Sequence, residues 1–328
     1  MSRSSSAPAL SIVVPAPRDT AALEATLVSV LENRPADCEI VVPLGFAYDD
    51  PWGVAGEVRL VPAPPGSGLA SCANVGIAAS AAPVVHLLAA GWLATPGWTD
   101  QPRELLGDAD VKAVVPAAVA AAGADAIVAA GVRVTSGGRR TVVVPRRRVA
   151  AARVRPAAPL LEAGFWRADV LEAAGPGFAA SCGDWLADAD MATALACLPG
   201  RVAYAPESRV VCGPQRRRPR AFTAGLQSER LFWRSLARGG APVAVVAHAI
   251  EVLRDIVTSA PLGTVPMLVG RIVALMQFGD SLARIARLRA ARAAAASASP
   301  TLRIDGPHAG LARPSRMPSD AQPLRRSA

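Results

Sequence analysis

Lysine is nearly absent from this chain. Of its 35 basic residues only Lys112 is a lysine, and the rest are arginines. With so much alanine beside them, the arginines carry the mark of GC-rich coding and do not by themselves point to nucleic acid. Aromatic residues are 4% of 328, too few to interleave with bases, which argues against single-strand nucleic-acid binding. His86, His248 and His308 are too scattered for a zinc cluster. The five cysteines at 38, 72, 182, 197 and 212 are odd in number and form no CxxC pair. They read as reduced thiols in a cytoplasmic setting. No uncharged apolar run is long enough for a transmembrane helix. No apolar stretch precedes Pro8, so no leader peptide is expected.

What is present is a globular composition: 52% hydrophobic and 19% charged, with ample length for a core. The net charge of +9 is local. Residues 281–328 carry nine arginines against Asp305 and Asp320. A second basic block runs from Arg139 and Arg140 through Arg146, Arg147 and Arg148 to Arg153 and Arg155. A third is Arg216, Arg217, Arg218 and Arg220. Such blocks are either solvated faces or contacts for anionic lipid or phosphate.

The first ninety residues alternate between two periods. LSIVV at 10–14 reads as a central parallel strand stopped by Pro15. Asp19 or Thr20 caps a helix whose Leu23, Leu27, Val30 and Leu31 recur at helical spacing. Strands are expected at 39–44, 57–62 and 84–88, with a small-residue helix at 69–80. This alternation predicts a mostly parallel α/β sheet with helices on both faces. A strand is expected at 111–117, and a hairpin of 127–134 and 140–144 around Ser136-Gly137-Gly138. Helices at 167–174 and 184–198 and a strand at 202–205 follow. Beyond Pro219 the pattern is helical: Val246, Ile250, Leu253 and Ile256/Val257 make one apolar stripe, and Leu268, Ile272, Leu275, Leu282 and Ile285 another. The last thirty residues read as a disordered basic tail. No internal repeat is visible.

Two enzyme classes lack their signatures. There is no GxSxG elbow, and Gly66-Ser67-Gly68 lacks the third glycine of a dinucleotide fingerprint. Four stretches taken in order do resemble one family. LSIVVPAPRDTAALEATLVSVLEN, EIVVPLGFAYDD, VRLVPAPPGSGLASCANVGIAASAAPVVHLLAAGWLATPGW and FWRADVLEAAGPGFAASCGDWLADADMATALACLPGRVAYAPESRVV are similar to segments of family 2 glycosyltransferases, which have the GT-A fold. The resemblance covers roughly residues 9–213.

That resemblance implies a nucleotide-sugar transferase whose nucleotide lies near Pro15, Asn74 and Gly76. The alternative for the last two is a helix that needs small residues against the sheet. Pro43 stands where the family usually has an aspartate on the base. Ala89 and Gly91 stand at the two aspartates of the family's metal motif, and Cys212 and Gly213 near a histidine that often completes it. A sugar diphosphate develops negative charge as it leaves, and a divalent cation usually neutralises it. With both carboxylates gone, no metal site is expected. Arginine is the substitute, with Arg139, Arg140, Arg146–Arg148, Arg216 and Arg218 as candidates. Asp188 and Asp190 align with the family's acidic pair, Asp188 near the general base. Asp184 shares a helical face with Asp188. The alternative for these acids is helix N-terminal stabilisation. Trp185 is either an acceptor platform or core.

The expected organisation is a GT-A-like domain over 9–215, a helical region over 219–298 and the tail at 299–328. Two functions stay open. One is metal-independent sugar transfer from a nucleotide sugar to a glycan or lipid-linked acceptor, as in polysaccharide biosynthesis. The other is an inactive relative serving as a scaffold or binding protein in polysaccharide assembly. No cofactor and no nucleic-acid partner are expected. The expected setting is cytoplasmic, with peripheral contact to an anionic inner membrane surface through the C-terminal helices.

Overall fold

The computed structural model describes residues 7–121, 123–145, 153–175, 177–214, 216–239 and 241–298. The basic tail at 299–328 and Arg146–Arg148 lie outside the described residues. Strand β1 (Leu10–Val13) is wholly buried and pairs in parallel with β2 (Cys38–Leu44) on one side and β4 (Val84–Leu88) on the other. β3 (Arg59–Pro62) extends the sheet beyond β2. It starts two residues later than expected because Val54–Gly56 forms a 3-10 turn. Helix α1 (Thr20–Asn33) begins where Asp19 accepts a hydrogen bond from the Ala22 N–H at 3.0 Å. That side chain satisfies one of the donors a helix start leaves open. Helix α2 (Leu69–Ala79) lies against β2.

After β4 the sheet turns mixed. β5 (Leu93–Ala94) is followed by α3 (Asp100–Leu106), β6 (Val111–Ala120) and β7 (Gly123–Ala129). β8 (Val132–Val134) and β9 (Arg140–Val142) form a separate hairpin. Next come β10 (Ala163–Arg167), α4 (Ala168–Ala173), α5 (Gly183–Leu195) and β11 (Arg201–Val211). The main sheet runs β3-β2-β1-β4-β10-β6-β11-β5, with β7 paired to β6. β10 is antiparallel to both neighbours.

The strand expected over 127–134 is in fact two. It breaks at Gly131, whose φ of 83° favours glycine, so β7 joins the main sheet while β8 pairs with β9. β10 carried no sequence signal. It sits between two strands with Phe165 and Trp166 both fully buried, so no polar alternation marks it.

Two isolated polar side chains prove structural. His86 on β4 stacks on Phe165 with centroids 3.8 Å apart, its Nδ1 faces the Gly164 carbonyl at 3.0 Å, and its Nε2 accepts from Trp98 at 3.0 Å. Burial, opposed by the Gly164 hydrogen bond, pulls its pKa down to about 3, so the ring is neutral. Lys112 donates to the carbonyls of Leu195 at 2.6 Å and Leu198 at 3.0 Å, closing the end of α5, where helix carbonyls lack partners. The five cysteines are free thiols.

Helices α6 (Ala221–Ser235), α7 (Ala241–Ser259), α8 (Thr264–Met276) and α9 (Phe278–Ala298) follow the sheet. α6 packs on α5, α8 and α9. The second apolar stripe does not lie on one helix, since the chain bends by 60° between α8 and α9. Much of both stripes is exposed. Among the described residues no single helix is long and apolar enough to cross a membrane.

Candidate active site

Strand order reverses beside β1: β2 and β3 lie to one side, and β4 follows them in sequence but sits on the other. In open α/β sheets, ligands bind outside the carboxyl ends of strands at such a switch point. Here the two exits touch, the Ala90 N–H donating to the Pro15 carbonyl at 3.1 Å. Pro15 is buried, and Gly45 N–H after β2 donates to the Ala16 carbonyl at 2.9 Å.

The exit of β4 is packed shut at Ala89 and Gly91, where the resemblance implies metal carboxylates. Ala89 is buried, its N–H donating to the Glu162 carbonyl at 2.8 Å. Gly91 has φ 91°, and its N–H donates to Thr26 Oγ1 at 2.8 Å and the Ala22 carbonyl at 2.9 Å. A Cβ on Gly91 would lie 2.9 Å from Pro214 Cδ, so a side chain here is both strained and blocked. The Cys212 thiol is pushed up to about 11, first by burial and then by Glu162. Among the described residues no three His, Cys, Asp or Glu converge where a metal could bind. The described residues here do not fit the divalent cation that the resemblance implies.

A cavity of about 490 Å³ opens beside this exit, walled by Trp92, Leu160, Trp185, Cys212, Arg140 and Arg216, with Glu162 in its lining. Its polar wall is one cluster. Asp188 on α5 is buried and receives both arms of Arg140, Nε to Oδ1 and Nη2 to Oδ2, each at 2.8 Å. Such two-point pairing is the strongest geometry a carboxylate offers arginine. Arg216 reaches Asp188 Oδ2 at 2.5 Å and also bonds Glu162 Oε1 and the Asp184 carbonyl. Burial alone would raise the Asp188 pKa, but Arg216 and then Arg140 outweigh it and hold the carboxyl below its usual value. Arg140 also lies 5.8 Å over the Trp185 ring. Trp185 is half-buried, lining the cavity while packing beside Cys182 and Leu186.

Glu162 was missed by sequence reasoning. It stands just before β10, buried, with Oε1 held by Arg216 and Oε2 without a hydrogen-bond partner. Burial pushes its pKa up, with Arg216 opposing and the Asp188 charge adding to the rise. The signal in the sequence was a lone acid inside the apolar run PLLEAGFW, since a buried carboxylate demands an account.

The other expected site residues have separate engagements. Asp184 Oδ1 accepts from the Ala70 N–H at 2.9 Å, capping α2 from across the cleft because Gly68 at its N-cap has no side chain to do so. Asn74 clamps the Phe178 backbone, donating to its carbonyl at 2.8 Å and accepting from its N–H at 2.7 Å. Gly76 faces the sheet so closely that a Cβ would lie 2.2 Å from Val13 Cγ1. Asp190 is buried and pairs with Arg234 of α6 at 3.4 Å and Arg284 of α9 at 3.0 Å. Arg139 and Arg218 line a different cavity of about 250 Å³, between the β8–β9 hairpin and α7, which shares Arg140 and Trp185 with the first. Arg139 lies 3.9 Å from Glu251 there.

No family model and no curated protein matches this sequence. Solved structures do. The crystal structure of residues 1–349 of TarS from S. aureus is 10% identical, with 88% of this chain and 91% of that one covered at a TM-score of 0.55. GalNAc-T7 with UDP, GalNAc and Mn2+ is 14% identical over 78% of this chain at a TM-score of 0.53. This chain spans 58% of that longer one. The mannosyltransferase PcManGT from Pyrobaculum calidifontis, in complex with GDP-Man and Mn2+, is 16% identical over 89% of this chain and 88% of that one, at a TM-score of 0.49. The fold is GT-A-like, a mixed α/β sheet with many helices, and its structural neighbours are glycosyltransferases.

Proposed function

We propose that this chain is a divergent family 2-like glycosyltransferase that has lost the family's Asp-x-Asp metal motif and moves a sugar from a nucleotide donor without a divalent cation. The observation that carries the proposal is the cavity beside the β4 exit, lined by Arg140, Arg216 and Glu162, whose buried Oε2 has no hydrogen-bond partner. The acceptor is a glycan or a lipid-linked sugar, presented on the cytoplasmic side.

In this reading the acceptor hydroxyl enters the cavity and gives its proton to Glu162 Oε2 as its oxygen bonds the sugar's anomeric carbon. The bond to the diphosphate breaks, and the nucleoside diphosphate leaves with the electron pair. A carboxylate whose pKa burial has raised is a stronger base than an exposed one. Asp188, clamped by two guanidiniums, is the weaker base, so its part is to hold Arg140 and Arg216 in the cavity wall. Asp190 holds the C-terminal helices and Asp184 caps α2, while Asn74 clamps the Phe178 backbone, Gly76 lets α2 close on the sheet and Pro15 lies at the switch point. Arg216 and Arg140 meet the leaving diphosphate in place of metal, Arg216 exchanging Glu162 for a phosphate oxygen while Asp188 keeps hold of both arginines. That exchange unpairs Glu162 as the donor arrives. Arg139 and Arg218 in the adjoining cavity are placed for an acceptor phosphate.

The same cluster favours a second reading. Its two arginines already neutralise Asp188 and Glu162, and Pro214 covers Gly91. A chain so closed suits a scaffold without turnover in polysaccharide assembly. Calorimetric titration with UDP, GDP and their sugars in chelator separates the two. The transferase binds at least one nucleotide sugar, and Arg216→Gln weakens that binding by about tenfold or more. The scaffold binds none.

A further inference from the structure

Helices α7 and α8 form a hairpin joined at residues 260–263, and its outer surface is apolar to an unusual degree. On α7, Val243, Val246, Ile250, Leu253 and Val257 recur at spacings of three and four, which places them in one stripe. All five are exposed, Val257 at 75%. On α8 and the turn before it, Leu262, Val265, Val269, Ile272 and Met276 repeat the same spacing. They too are exposed, Leu262 at 89% and Met276 at 81%. Single exposed leucines need no account, but ten large apolar side chains in two stripes on adjacent helices mark a contact surface.

Charge says what covers it. α8 presents no charged side chain to solvent, its Arg271 being buried against Glu229 and Asp255. On α7 the acids turn inward, Glu251 toward Arg139 and Arg254, and Asp255 toward Arg271. The exposed charge on α7 is Arg254. Beside the hairpin stand Arg217, Arg218 and Arg220 before α6, all exposed, Arg218 lining one cavity with Asp255, Ser259 and Gly263; on α9, Arg287, Arg289 and Arg292 are exposed too. Across the described part of 216–298 the only exposed acid is Asp280. The surface is thus apolar at its centre and positive at its rim. Two copies joined through it would set like-charged rims against each other, which is unfavourable. An anionic bilayer offers what the surface lacks, acyl chains for the stripes and lipid phosphates for the arginines.

We infer that the α7–α8 face is a monotopic docking surface for an anionic lipid bilayer. The helices lie along the interface: among the described residues no single helix is long and apolar enough to cross, and α8 and α9, which reach that length only together, are bent by 60° to each other. The 250 Å³ cavity has Arg254 and Thr258 of α7 in its lining and shares Arg140 and Trp185 with the Glu162 cavity. Docking therefore brings the membrane close to the cleft. The docking surface does not depend on turnover, so it stands or falls separately from the transferase reading.

The test is co-sedimentation of the full chain with vesicles of phosphatidylcholine containing phosphatidylglycerol, and with phosphatidylcholine alone. The chain sediments with the first set, less so at high salt, and weakly with the second. The triple variant Ile250→Gln/Leu253→Gln/Ile272→Gln keeps its thermal midpoint, because all three side chains are already in water. It loses vesicle partitioning by about tenfold or more. Three results would overturn the inference. They are no sedimentation of the parent chain, equal sedimentation of the triple variant, or a solution dimer of the parent that the triple variant splits.

Discussion

Glu162→Gln is expected to lower sugar transfer by about 10²- to 10⁴-fold, the range for removing a positioned proton acceptor, while leaving the fold and donor binding in place. The glutamine fills the same volume and keeps a carbonyl oxygen for Arg216 at Oε1. What it lacks is a carboxylate oxygen at Oε2, the buried position without a hydrogen-bond partner. The pH profile supplies the sign. Glu162 works as a base only when ionised, so the rate climbs as pH rises through its pKa. Burial lifts that pKa, so the acid limb sits above the ordinary glutamate value of about 4.3. Asp188, held low by Arg216 and Arg140 against burial, would place the limb below about 3.9 instead. A limb on the high side that vanishes in Glu162→Gln supports Glu162. A limb that survives in Glu162→Gln and vanishes in Asp188→Asn returns the role to Asp188.

The second large effect is on stability. Asp190→Ala removes the carboxylate that joins α5 to α6 through Arg234 and to α9 through Arg284. Both guanidiniums are left buried without their carboxylate. Breaking a buried pair from one side costs about 3–5 kcal/mol, because the stranded charge cannot recover its water. In a chain of this length the thermal midpoint should fall on the order of 10 °C, read by calorimetry. Arg234 retains Cys182 Sγ at 3.1 Å and Ser181 Oγ at 2.9 Å, and Arg284 the Ala174 carbonyl at 2.5 Å, which keeps the loss toward the lower end. A midpoint within a degree or two of the parent would show that the α5–α6–α9 junction does not depend on this charge.

The parallel half of the sheet was legible because its residues obey local rules. Leu10–Val13 is a short apolar run before proline, and Asp19 sits where a cap belongs. The resemblance to GT-A glycosyltransferases rests on those stretches and on a fourth, FWRADVLEAAGPGFAASCGDWLADADMATALACLPGRVAYAPESRVV, in the other half. The antiparallel half was harder. β10 is buried on both faces and looks like the start of a helix, and β7–β8 reads as one strand until Gly131 redirects the chain.

The site was legible only in part. Asp188 was visible from its motif, but its two guanidinium partners are 48 and 28 residues away in sequence. Spacing cannot show that a carboxylate is already spoken for. Asp184 and Asn74 illustrate the same limit, since their partners Ala70 and Phe178 are 114 and 104 residues distant. Glu162 could have been found by asking why a lone acid interrupts an apolar run. The exposed stripes of α7 and α8 carry helical periodicity whether they face a core or a membrane, so their period alone could not say which.

The measurement closest to the central claim is nucleoside diphosphate release from UDP- and GDP-sugars in the presence of a sugar acceptor, with chelator and with added manganese. Metal-independent transfer gives turnover that ignores the chelator, gains nothing from manganese, and falls by orders of magnitude in Glu162→Gln. Turnover that appears only with manganese, and survives Glu162→Gln, would contradict it.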